Sequence, residues 1–150
     1  MSLILADVEA KILARLNASP IVPAAQGAYN TVSPNDVQIA IGSKPYVVFT
    51  LVSGTYADST FEKNVATAVY QVSIFDHRGN GSVNLYDVAG KVFGDSSGTD
   101  NAPTYGLARW KITGMTNVED CMVEHVDFMT QHEPDALHYW HTFRVTATEK

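Results

Sequence analysis

Val65-Ala66-Thr67-Ala68-Val69-Tyr70-Gln71-Val72-Ser73-Ile74-Phe75 sorts its side chains by twos, with Ala66, Ala68, Tyr70, Val72 and Ile74 on one side and Thr67, Gln71 and Ser73 on the other. That period belongs to a β-strand with one face buried. A polar second face points to antiparallel sheet. Near the C-terminus, Leu137, Tyr139, His141, Phe143, Val145 and Ala147 alternate in the same way with His138, Trp140, Thr142, Arg144, Thr146 and Thr148. Two long half-buried strands thus frame the second half of the chain.

Working outward, Tyr46-Val47-Val48-Phe49-Thr50-Leu51-Val52 is a β-branched and aromatic run, and a shorter one holds Val37, Ile39 and Ile41 on one face. Residues 107–113 and 122–129 read as two further strands. Residues 3–17 change period: Leu5, Val8, Ile12 and Leu16 recur at helical spacing, with Arg15 late and Pro20 closing the element. A second helix is expected after residues 76–81, from an N-cap at Ser82 through Leu85, Ala89, Val92 and Phe93 to Gly94. Residues 19–34, with three prolines, read as an irregular arm, and residues 53–64 and 94–105 as long loops. Two helices packed on a mainly antiparallel sheet make an α+β fold in a single domain over residues 1–150.

The 150 residues are 45% hydrophobic but only 17% charged, a low charge density that suits surface meeting protein. Ten Lys plus Arg against sixteen Asp plus Glu give a net charge of −6 with no basic run, so phosphate-backbone binding is not the expected activity. One cysteine, Cys121, excludes an intrachain disulfide and a multi-cysteine zinc site. The N-terminal residues lack a basic lead and an unbroken apolar stretch, and no apolar run reaches membrane-spanning length, so the expected setting is a cytoplasm with no membrane partner.

A reaction centre is hard to assemble from these residues. His125 and Asp127, two apart on an expected strand, would share a face near His132, Glu133 and Asp135, and could be drawn as a metal or acid–base cluster. Their spacing matches no metal-binding motif, and surface histidines are the plainer reading. His138 and His141 should point to opposite faces. Arg78-Gly79-Asn80-Gly81-Ser82 reads as a turn and helix cap and matches no phosphate-binding fingerprint. Neither a catalytic residue, a metal nor a cofactor is therefore expected. Aromatic residues in loops and at strand edges point instead to contacts between proteins, and Tyr56, Phe61, Tyr105, Tyr139 and Trp140 are the candidate interface.

Lys44-Pro45-Tyr46-Val47-Val48-Phe49 and Ala68-Val69-Tyr70-Gln71-Val72-Ser73-Ile74-Phe75-Asp76, the latter followed by a short helix, together with the strand at residues 137–146, resemble the tail-terminator or tail-completion family of tailed bacteriophages. The resemblance spans nearly the whole chain and rests on strand patterns. It implies a non-catalytic virion protein assembled in the bacterial host cytoplasm: a homo-oligomeric ring, typically hexameric, that caps the tail tube and meets the tail-tube protein and a head-completion or connector protein. DNA would pass through without specific binding, which an acidic wall favours. The alternatives are a tail-tube or head-completion subunit, or a small metal-dependent enzyme using His125, Asp127 and His132.

Overall fold

A computed structural model describes residues 2–30, 44–58, 64–95, 103–132 and 136–150. The elements are α1 (Ser2–Leu16), a kinked turn α2 (Ile21–Ala24), β1 (Ala28–Asn30), β2 (Tyr46–Asp58), β3 (Asn64–His77), α3 (Val83–Phe93), β4 (Val118–His132) and β5 (Ala136–Glu149). The strands form one sheet in the order β1-β2-β3-β5-β4, antiparallel except for β1, which runs parallel to β2. The α+β class is that read from the sequence.

One face of the sheet carries the core. Ala66, Ala68, Tyr70, Val72 and Ile74 of β3 are buried there with Val47 and Phe49 of β2 and Phe143, Val145 and Ala147 of β5. Against them α1 sets Ile4, Val8, Ile12 and Leu16, and α3 sets Leu85, Val88, Ala89 and Val92, all buried. Each Ile, Val or Leu side chain among them contributes about 1.5–3 kcal/mol on removal from water, so the apolar stripes hold both helices on the sheet. Tyr70 crosses this layer and donates its hydroxyl hydrogen to Glu9 Oε2 of α1 at 3.2 Å. Burial, with Glu9 close by, pushes its pKa up.

Several boundaries differ from the sequence reading. Residues 53–58, read as part of a long loop, are strand: β2 continues to Asp58, which pairs with Asn64 at the start of β3, while residues 59–63 lie outside the described residues. The Ser-Gly-Thr composition that reads as a turn is carried as strand by cross-strand pairing, with a register shift between Leu51 and Ser53. Residues 107–113 do not form a regular strand. Gly106 (φ 84°) and Arg109 (φ 65°) turn the chain, and the Leu107 and Ala108 N–H groups donate to the carbonyls of Val92 and Phe93 at the end of α3. Beyond that turn, residues 109–112 lie along the outer edge of β4, with Arg109 N–H donating to Val123 O, Val123 N–H to Trp110 O and Ile112 N–H to Cys121 O.

The irregular arm contains β1, pinned from α1: the Asn17 amide donates to Ala28 O at 3.2 Å and its Oδ1 accepts from Ala28 N–H at 3.0 Å. The second helix runs from Val83 to Phe93 as read, but Ser82 makes no side-chain cap bond. The expected strand at Val37, Ile39 and Ile41 lies outside the described residues, as do residues 96–102 of the second long loop.

Candidate functional site

The two long hairpins leave the core at opposite ends of the sheet. Thr148, near the end of β5, pairs with Val65 near the β2–β3 tip, while Ala136, at its start, pairs with His77 near the β4–β5 tip. Both hairpins expose apolar side chains. On β2 these are Leu51, Val52 and Tyr56, and on β4 they are Val126, Phe128 and Met129, with Phe128 58% exposed. Proteins with no partner seldom leave bare strands of this kind unprotected by charge or proline.

On the helix side of the β4–β5 end lies a groove of about 770 Å³, bounded by Tyr86 and Phe93 of α3, Phe128 of β4 and Tyr139 of β5, with His125 and His141 on its floor. The Phe128 and Tyr139 rings stack at 5.4 Å with 2° between their planes, and Tyr86 meets Tyr139 edge-on at 6.2 Å. Phe93 stands edge-on to His125 at 4.9 Å. Tyr86 and Val83, the latter 78% exposed, extend the apolar surface along the outer side of α3.

A line of hydrogen bonds crosses the floor. His141 Nε2 lies 2.8 Å from the Ala89 carbonyl oxygen, so this nitrogen carries the hydrogen. Its Nδ1 then accepts from His125 Nε2–H at 3.0 Å. His141 is neutral in this arrangement, since a proton on its Nδ1 would face the His125 N–H. Burial pushes His141 down to about 4; the Ala89 carbonyl opposes this shift and His125 adds to it. Burial also lowers His125, opposed by the Asp127 carboxylate and a bond to the Asp127 backbone.

The expected His125–Asp127–His132 cluster does not form as drawn. A register shift between His125 and Asp127 pairs the first with Phe143 and the second with Thr142, which puts the two side chains on opposite faces. His132 pairs with Leu137 at the hairpin tip, seven residues and roughly 23 Å along the strand from His125. Glu133 and Asp135 lie outside the described residues. Among the described residues, no three His, Cys, Asp or Glu are placed to hold a metal ion. The Cys121 thiol is buried and pushed up to about 12 by that burial, so it is not a thiolate at neutral pH.

The five aromatic candidates divide among different surfaces. Tyr56 lies on the β2–β3 hairpin, half-exposed, and Tyr139 lines the groove about eight residues, or roughly 27 Å, further along the sheet. Trp140 faces the other side, where Tyr46, Phe75, His138 and Trp140 form a continuous row with ring centroids 5.2, 4.2 and 4.6 Å apart. His138 and His141 point to opposite faces, as the alternation requires. Tyr105 is half-buried beside Asp95, and Phe61 lies outside the described residues. Sequence reading missed Tyr86, Phe93 and Phe128. The one available signal was Val126-Asp127-Phe128-Met129, where apolar residues occupy both parities of a strand end.

No helix among the described residues is long and apolar enough to cross a membrane. Compared with protein-family models and with curated protein sequences, the chain matches none.

Proposed function

We propose that the protein is a structural subunit of a bacteriophage tail, a terminator that closes into a ring on the end of the tail tube and offers the surface on which the head joins. The observation that carries this reading is the pair of unlike hairpin ends, at opposite ends of one sheet, each with exposed apolar side chains. A ring is built from heterologous contacts, and every subunit then needs two different surfaces that fit one another. The resemblance of the Pro45–Phe49 and Ala68–Asp76 strands to tail terminators supplies the biological setting. The net charge of −6 suits a wall past which DNA slides.

Negative-stain electron microscopy of the purified protein tests the reading. Closed rings of about six subunits are the expected result. Open-ended tubes would assign the chain to the tube itself, and a monomer that also leaves tail-tube ends uncapped would overturn the structural role.

A further inference from the structure

Among the described residues, each of the two outer edges of the sheet is covered along only part of its length. On β2, residues 47–49 are covered by β1, with Ala28 opposite Val47 and Asn30 opposite Phe49. Beyond them every residue from Leu51 to Tyr56 is exposed. On β4, Cys121 and Val123 are covered by the strand-like residues 109–112, and every residue from Val126 to His132 is exposed. Among the described residues, no backbone group outside the sheet bonds to either open half. Each edge is therefore a step: a shoulder, then an exposed run of six residues on β2 and seven on β4.

The steps are complementary. β2 and β4 lie on opposite margins of the sheet and run in opposite directions relative to β3 and β5. The open half of β2 lies toward the β2–β3 tip and that of β4 toward the β4–β5 tip. We propose that the open half of β4 in one copy pairs antiparallel with the open half of β2 in the next. The end of β4 at His132 would then abut the β1 shoulder, and the end of β2 at Asp58 would abut residues 109–112 of the neighbour. This inference rests on the ring-forming reading and names its joint.

Length, chemistry and area agree with that occupant. The two runs match in length and contain no proline, and Asp127 and Asp58 are their only ionisable carboxylates. Each run carries one carboxylate and begins at a register shift, Leu51/Ser53 on β2 and His125/Asp127 on β4, and neither has a Lys, Arg or Pro to block backbone pairing along the rest of it. Tyr56 and Phe128, rings that bring roughly 150–250 Å² each when fully buried, are about half exposed. With Leu51, Val52, Val126 and Met129 they place several hundred Å² of apolar surface at the joint. A paired strand and two shoulder contacts add to this area on both partners, toward the ~1,600 Å² total of a standard interface. Neighbours would be offset along the strands by about seven residues, or roughly 24 Å. Such an offset is compatible with closure when strands tilt against the ring axis.

The test uses two variants at exposed positions, Val52→Lys/Tyr56→Lys on the β2 edge and Val126→Lys/Phe128→Lys on the β4 edge, examined by native mass spectrometry beside the unchanged protein. Each variant keeps one good edge. The expected result is that each alone is monomeric, while an equimolar mixture gives discrete heterodimers and nothing larger. Amide exchange in residues 51–58 and 124–132 should slow at least tenfold in the assembled unchanged protein, with residues 70–76 unaffected. Rings formed by both variants alone would overturn the joint and leave the ring reading standing. A mixture that stays monomeric while the unchanged protein assembles would also overturn it. Failure of the unchanged protein to assemble, alone and with tail tubes added, would overturn the ring reading itself.

Discussion

Lowering the pH should weaken the fold through its buried histidines, and His141 sets the scale. Its ring is 2% exposed, holds the Ala89 carbonyl from α3 and accepts from His125, and burial depresses its pKa from 6.5 to about 4. Between these values the unfolded chain binds a proton that the folded chain refuses. Stability is therefore fully present above pH 6.5 and falls as the pH drops, by about 1.4 kcal/mol per unit for one such group. From pH 6.5 to 5 the loss assigned to His141 is about 2 kcal/mol, a large part of the 5–15 kcal/mol that holds a typical domain together. His138, buried on the opposite face and also lowered to about 4, adds a comparable slope.

The assay is urea unfolding at pH 7, 6.5, 6, 5.5 and 5, for the unchanged protein and for His141→Phe. The substitution costs stability at pH 7, because the Ala89 carbonyl and His125 lose a partner, yet it should remove about half of the pH dependence between 6.5 and 5. Equal slopes in the two proteins would refute the assignment, since the proton uptake would then come from other groups.

Other substitutions follow from the same geometry. Phe49→Ala, at a fully buried position tilted against Tyr70 at 6.1 Å, should cost about 3–5 kcal/mol in denaturant unfolding. Gly94→Ala should destabilise by several kcal/mol or prevent folding, because φ is 105° and an added Cβ would strike the Tyr105 carbonyl, while Gly90→Ala, which meets nothing within 4 Å, should be neutral or stabilising. The Arg15 guanidinium donates to the Gly106 carbonyl at 2.8 Å and to the Pro103 carbonyl at 3.2 Å, and lies 4.4 Å from the Trp110 ring centroid. Arg15→Lys should therefore lose about 1–2 kcal/mol in thermal or urea unfolding, since a single ammonium cannot reproduce the fork and the stacking together.

What the sequence made legible follows from which interactions are local. The alternation in β3 and β5 and the stripes of α1 and α3 identified the core face, because burial of one face imposes a period that survives in the residues themselves. The extension of β2 through Ser53, Gly54 and Thr55 was not legible, since those residues enter a strand only because β3 lies opposite. β1 is three residues long, too short for a period of two to show, and is held by the Asn17 side chain and by pairing with β2. Residues 107–113 have strand composition, yet Leu107 and Ala108 are buried consecutively and Arg109 takes a positive φ, so the β reading fails on backbone conformation. The groove depends on the register between β4 and β5: the shift after His125 brings its ring to His141 and sends Asp127 to the other face, and nothing in residue spacing encodes a bulge.

The account rests most heavily on assembly through two unlike ends of one sheet, and the mass of the purified protein in solution tests that most directly. Sedimentation across a range of concentrations should resolve a closed species of about 98 kDa, six chains of 16.3 kDa, with no larger series beyond it. A single species at the mass of one chain throughout the range, unaltered by added tail tubes, would contradict it.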